Sequence, residues 1–114
     1  MLVASTEMGQ GAKTILAQIA AQVLGWKLER VEVADPDTSL VPDSGPTVAS
    51  RTSRIVGGLI ARCAQELKER LGKLTPRQYL RRHGPLRVTK RYESPAAIEW
   101  DDETYQGDAY PTFA

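Results

Sequence analysis

The 114-residue sequence is poor in the residues that build covalent or metal-held scaffolds: it has one cysteine, Cys63, and one histidine, His83. A lone cysteine cannot close an internal disulfide, and one histidine beside one thiol does not make a zinc site, so disulfide-scaffold and zinc-finger readings fall away. An iron–sulfur cluster would need several thiolates. Long apolar runs are also missing. No stretch approaches the roughly 18 residues that span a bilayer, and the N-terminus lacks the basic-then-apolar layout of a secretory signal. The expectation is a soluble cytoplasmic protein with no membrane contact. Aromatic residues make up only 6% of the chain. Trp26, Trp100 and four tyrosines are scattered along it, a poor stacking platform for single-stranded nucleic acid.

What is present suits one globular domain over residues 1–114, with 41% hydrophobic and 25% charged residues. The net charge of +1 conceals a division into blocks of −3 over residues 1–50, +10 over 51–91 and −6 over 92–114. The basic block could meet phosphates, or it could be matched within an assembly by the acidic C-terminal block. Glu99, Asp101, Asp102 and Glu103 run nearly consecutively and read as an exposed turn rather than a metal site.

Residues 1–5 read as the end of a strand. From Ala12 the apolar positions Ile15, Leu16, Ile19, Ala20, Val23 and Leu24 recur at helical spacing, and Gly25 supplies a left-handed stop. Leu28, Val31 and Val33 alternate with polar residues as a short strand, and residues 35–46 have loop composition. A second helix is predicted from Ala49 or Ser50 to Leu71, with Val56, Leu59, Ile60, Cys63, Leu67 and Leu71 on one stripe. On its outer face Arg62, Glu66, Arg70, and Glu69 with Lys73, are placed four apart for ion pairs. Thr75-Pro76 opens a short helix through about Arg82, and His83 is a solvated residue at its end. Leu86–Thr89 with Tyr92 reads as a strand, and Ala109–Phe113 as the start of another. Because that apolar end has no cap or polar tail, the chain is expected to be a fragment of a longer polypeptide or a subunit of a tight complex. The predicted fold class is α+β, two-layer, with two main amphipathic helices packed on a small mixed β-sheet.

Two predicted helix starts carry small or hydroxyl-bearing residues. One is Glu7-Met8-Gly9-Gln10-Gly11; the other is Gly45-Pro46-Thr47-Val48-Ala49-Ser50-Arg51-Thr52. Each is either an ordinary helix cap or an anion cradle built from unpaired N–H groups and a positive dipole end. The first is not a P-loop, because Ala12 separates Gly11 from Lys13 where that motif needs Gly-Lys contiguous.

Taken together these segments carry a resemblance that neither has alone. Glu7-Met8-Gly9-Gln10-Gly11, Thr14, Gln18-Ile19-Ala20-Ala21, Leu24-Gly25, Asp37-Thr38, Pro42 and Gly45 through Arg51, in that order, resemble the molybdenum-binding subunit of the xanthine dehydrogenase and aldehyde oxidase family. Tyr105 to Tyr110 extends the likeness, which is weakest over residues 75–100. The resemblance implies a molybdopterin cofactor, possibly in its dinucleotide form, and an oxidoreductase that hydroxylates aldehydes or N-heterocycles with oxygen from water. Carried over by position, it assigns Gly9, Gln10 and Gly11 to one wall of the cofactor site and Thr47, Val48, Ala49, Ser50 and Thr52 to the other. It implies as partners the remainder of the molybdenum subunit, with iron–sulfur clusters and FAD on other domains or subunits, and neither nucleic acid nor membrane. The family's downstream Gly-x-Gly-Glu segment, which carries its catalytic base, is not in this sequence. No catalytic residue or metal ligand is assigned, and the chain alone is expected to be inactive. Two rivals stay open: a nucleic-acid-binding module using the +10 block, and a non-catalytic interaction subunit.

Overall fold

Two helices carry the core. The computed structural model of the chain describes residues 1–41, 44–93, 96 and 99–108. Helix α1 (Ala12–Leu24) ends at Gly25, whose φ of 69° is the left-handed conformation the sequence predicts, and the Trp26 N–H closes the turn on the Ala21 carbonyl at 2.9 Å. Its buried face is Ala12, Leu16, Ala17, Ala20, Ala21 and Leu24. This face is turned toward the alanines compared with the expected stripe, and Ile15 is left exposed. The reason is steric: a face of alanines lets a neighbouring helix come close.

That neighbour is α2 (Gly57–Leu71), which buries Gly57, Ile60, Ala64 and Leu71 at spacings of three, four and seven. A Cβ built on Gly57 would stand 2.9 Å from Ile19 Cδ1, so the absence of a side chain there sets how near the helices approach. Leu16, Ala20, Val56 and Ile60 form the core cluster, and Met1, Val3, Ile19 and Val31 pack against it. At the other end of the pair Lys68 Nζ donates to the Val23 carbonyl at 3.1 Å. The expected stripe on α2 is otherwise held, with Leu59, Cys63 and Leu67 half-buried. Burial pushes the Cys63 thiol up from its ordinary value, which makes it a packing residue rather than a nucleophile.

The second helix departs from the prediction at its start. Thr52–Val56 is a π-helical turn, in which the Gly57 N–H reaches the Thr52 carbonyl five residues back. Helix α3 (Pro76–His83) opens with a capping box: the Gln78 N–H donates to Thr75 Oγ1 at 3.3 Å and the Thr75 N–H to Gln78 Oε1 at 2.9 Å. None of its residues is buried. Of the three anticipated ion pairs on α2, the structure forms Glu66 with Arg70; Lys90 also reaches Glu66, and Glu69 accepts from Gln65 instead.

The α+β class stands, with three α-helices and one small sheet among the described residues. That sheet is β1 (Trp100–Asp101) and β2 (Gln106–Gly107), paired antiparallel with Trp100 opposite Gly107. The expected acidic turn joins them: the Asp101 carboxylate accepts from the Glu103 N–H and the Thr104 hydroxyl. A parallel pattern occurs where the Met1 ammonium donates to the Glu32 carbonyl and the Ala34 N–H returns to the Met1 carbonyl at 3.0 Å. This run is too short to make a ladder. Three expected strands are corrected: residues 1–5 make no ladder beyond that point, Leu28–Arg30 is a 3-10 turn, and residues 86–92 form no ladder among the described residues. An alternating pattern becomes a strand only where a partner edge runs alongside it, and among the described residues the segment containing Val31 and Val33 meets one only at Met1. The expected strand over Ala109–Phe113 lies outside the described residues.

Two outcomes follow for the helix pair. Leu16, only 1% exposed, should cost about 2–5 kcal/mol when truncated to Ala, read as a drop in the denaturant midpoint. Gly57→Ala should be less damaging in an Ile19→Val background, which lacks Cδ1, than in the wild-type chain; equal losses would refute the close contact.

Candidate functional site

The first turn, residues 6–11, is closed by its own side chains. Gly9 and Gly11 sit at φ of 99° and 80°, a region costly for any residue with a Cβ, and Gly11 is the N-cap of α1. The first N–H groups of a helix have no partner within it and must find one elsewhere. Glu7 supplies it. Its Oε1 accepts from the Gly9 N–H at 2.8 Å and the Gly11 N–H at 3.1 Å, and its Oε2 from the Lys13 N–H at 3.1 Å. These amides, that of Lys13 foremost, hold the Glu7 carboxyl below its ordinary value. Gln10 folds over the same turn: Oε1 accepts from the Met8 N–H at 2.6 Å, and Nε2 donates to the Thr6 carbonyl at 2.7 Å. Lys13, the residue that prompts comparison with a P-loop, turns away and pairs with Asp35.

The second turn, residues 44–52, is anchored by Arg51, whose guanidinium donates to the Ser44 carbonyl and lies against Gly45. Ala49 and Ser50 have φ of 45° and 58°, and the Arg51 N–H bonds the Val48 carbonyl at 2.9 Å. This is a type I′ turn, a geometry that usually demands Asn-Gly or Gly-Gly, built here on two residues with side chains. It leads directly into the π turn. Consecutive strained residues and π turns both concentrate at functional sites. Val48, Ala49 and Ser50 are exposed, while Thr47 and Thr52 are half-buried.

One hydrogen bond joins the two turns: the Thr6 N–H donates to Thr47 Oγ1 at 3.2 Å. Thr6 thus serves both sides, accepting from Gln10 through its carbonyl and donating to Thr47 through its amide. The two segments named from the sequence are therefore neighbours. Gln10 and Ser50 stay accessible, and open space lies over Gly9 and Gly11, where an added Cβ would meet nothing within 4 Å. By contrast, an open depression of about 330 Å³ on the chain, lined by Lys13, Thr14, Ala17, Leu28, Val31, Glu32 and Val33, contains none of the expected residues. Glu7 stands in the first motif named from the sequence but carries no role there. The signal for its role is a carboxylate four residues before the N-cap glycine, placed to reach forward to the helix amides.

Among the described residues no three His, Cys, Asp or Glu side chains converge on a metal position, and no helix is long and apolar enough to cross a membrane.

Two outcomes test this geometry. Ser50→Gly relieves a left-handed side chain and should raise stability by about 0.5–1 kcal/mol, the gain being limited by the looser unfolded chain. For pH the sign follows from Glu7, whose folded value is depressed. Its contribution is complete above the ordinary carboxylate value of 4.5 and is lost as pH falls through the lowered value. The acid-side decline in stability should therefore be shallower in Glu7→Gln than in wild type, measured by melts between neutral pH and pH about 2.

Comparison with known proteins covers both turns. The profile of the molybdopterin cofactor-binding domain matches residues 1–83. Xanthine dehydrogenase/oxidase of Gallus gallus is 35% identical over 66 residues, 58% of this chain and 5% of that protein. The 6-hydroxypseudooxynicotine dehydrogenase complex subunit gamma of Paenarthrobacter nicotinovorans is 33% identical over 69 residues, 60% of this chain and 9% of that protein. Xanthine dehydrogenase 1 of Arabidopsis thaliana is 35% identical over 65 residues. The chain spans only 5% to 9% of the length of these relatives. No solved structure gives a significant match. With the matched stretch running from Met1 to the end of α3, through both turns and both packed helices, this chain belongs to the molybdopterin cofactor-binding domain family, in the company of the xanthine dehydrogenases.

Proposed function

We propose that these residues form one part of a molybdopterin-binding domain within a longer molybdenum hydroxylase subunit, an oxidoreductase acting on aldehydes or N-heterocycles. The observation that carries this reading is the Thr6–Thr47 hydrogen bond, which sets side by side the two turns that bear the family likeness. The residues present suit the group. A pterin edge needs paired donors and acceptors, and its tail ends in phosphate. Gln10 has both an amide and a carbonyl to offer, and Gly9 and Gly11 leave room for close approach. Ser50 and Thr52 add hydroxyls beside an exposed left-handed turn, and Thr47 already faces the first wall. When bound, the cofactor supplies the two-electron redox chemistry; the protein supplies orientation and electrostatics.

In this reading Gly9, Gln10 and Gly11 form one wall and Thr47, Val48, Ala49, Ser50 and Thr52 the other, with the rest of the cavity and the catalytic base on segments outside these 114 residues. Iron–sulfur and flavin centres reside on partner domains or subunits, the cofactor is taken in mono- or dinucleotide form, and the protein is cytoplasmic. The naming of one relative as a subunit of a dehydrogenase complex is in keeping with such partners.

The test is molybdenum content. In the intact subunit carrying these residues, Gln10→Ala and Ser50→Ala should each weaken cofactor retention about tenfold, the equivalent of roughly one good hydrogen bond. Molybdenum per chain is the measurement. Unchanged loading in both variants would refute the assignment. The 114-residue chain by itself should show no measurable molybdopterin affinity.

A further inference from the structure

Glu7 has no role in any of the cofactor assignments above, yet it makes two hydrogen bonds within the first turn, as many as Gln10, and a third to the start of α1. Its two oxygens collect the amide hydrogens of Gly9, Gly11 and Lys13. The Lys13 N–H is one that a helix start would otherwise offer to an incoming anion, and the Gly9 and Gly11 amides lie in the turn just before it. With a carboxylate already seated there, a phosphate brought to the same amides would meet a like charge at contact distance. The Glu7 carboxylate therefore disfavours an anion at the first turn.

Gln10 is tied to the same arrangement. Its side chain bonds only within the turn, to the Met8 N–H and the Thr6 carbonyl, so its orientation depends on the path of the backbone between Thr6 and Gly11. Glu7 fixes that path from the inside by pinning the amides on either side of Gln10, at Gly9 and Gly11. Two glycines at positive φ have the widest backbone freedom of any residue type, so without the pin the turn is the least constrained part of the wall.

We propose that Glu7 is a positioning residue: its carboxylate occupies the amide hydrogens at the start of α1, holds the Gly9–Gly11 turn so that Gln10 is presented, and leaves the anionic end of the cofactor to the Thr47–Thr52 turn. This rests on the molybdopterin reading given above. The two oxygens divide the work, Oε1 serving Gly9 and Gly11 and Oε2 serving Lys13. A glutamine at position 7 can keep the first two bonds through its carbonyl, but it sets an NH₂ donor against the Lys13 N–H.

The experiment compares Glu7→Ala, Glu7→Gln and Gln10→Ala in the intact subunit, with Leu71→Ala as a control that weakens the helix pair away from the turn. Two quantities are read: hydrogen exchange by mass spectrometry in a peptide covering residues 7–13, and molybdenum per chain. Glu7→Ala should raise exchange in that peptide about tenfold or more and lower molybdenum at least fivefold. Glu7→Gln should restore most of the protection and bring molybdenum within about twofold of wild type. Leu71→Ala should lower the melting temperature without loss of molybdenum. The proposal is overturned if Glu7→Ala leaves exchange unchanged, if exchange rises while loading stays, or if Glu7→Gln loads as poorly as Glu7→Ala. Unchanged loading in Glu7→Ala together with loss in Gln10→Ala removes the role of Glu7 alone. Loss in Glu7→Ala with none in Gln10→Ala removes the assignment of Gln10, and with it the route through Gln10.

Discussion

The close approach of α1 and α2 at Gly57 is the constraint on which the rest depends. The site turns are the N-terminal extensions of these helices, so their separation is fixed by how near the helices lie. An exposed hydrogen bond such as Thr6 to Thr47 contributes on the order of 1 kcal/mol, too little to hold two loops in register against their own freedom. Burial of Leu16, Ala20, Val56 and Ile60 is the larger effect. The hydrogen bond selects a register that the packing has already brought within reach. The alanine face of α1 and the bare Gly57 serve the same end, because bulkier residues at the crossing would carry the two turns apart.

The two turns handle charge and strain in opposite ways. In the first, glycines take the left-handed positions and an internal carboxylate meets the helix amides, so the turn is unstrained and electrostatically quiet. In the second, Ala49 and Ser50 hold left-handed conformations without the relief a glycine gives. Strain of this kind persists only when the surroundings enforce it, here the Arg51 anchor on Ser44 and the π turn behind. A planar heterocycle with one anionic end would find complementary surfaces: a neutral hydrogen-bonding edge at Gln10 on one side and a hydroxyl-bearing turn on the other.

Much of this was legible in the amino-acid order. The 3.6-residue period located α1 and α2, Gly25 marked the end of the first, and Thr75-Pro76 marked the start of α3. These are local signals, and local physics decides them. The strands were harder, since Leu28, Val31 and Val33 alternate properly yet make only a 3-10 turn and a brief parallel contact with Met1. Pairing is a property of two segments, and the pattern of one cannot report the other. In the site, the helix starts were visible as glycines and hydroxyls. The direction in which their amides are satisfied was not, because a capping Glu7 and a bound phosphate call for the same surrounding residues. The left-handed Ala49-Ser50 pair gave no sign at all, as neither residue type favours that conformation.

The π turn at Thr52–Val56 also bears on how this architecture tolerates change in length. Such a turn holds one residue more than the α-helix it interrupts. Deleting a single residue there would convert it to regular helix without disturbing α2, but everything N-terminal would swing by about 100° around the helix axis. Thr47 would then be carried away from Thr6. The surplus residue works as an indexing notch: it leaves the barrel of the helix untouched and sets the angle at which the preceding loop is aimed.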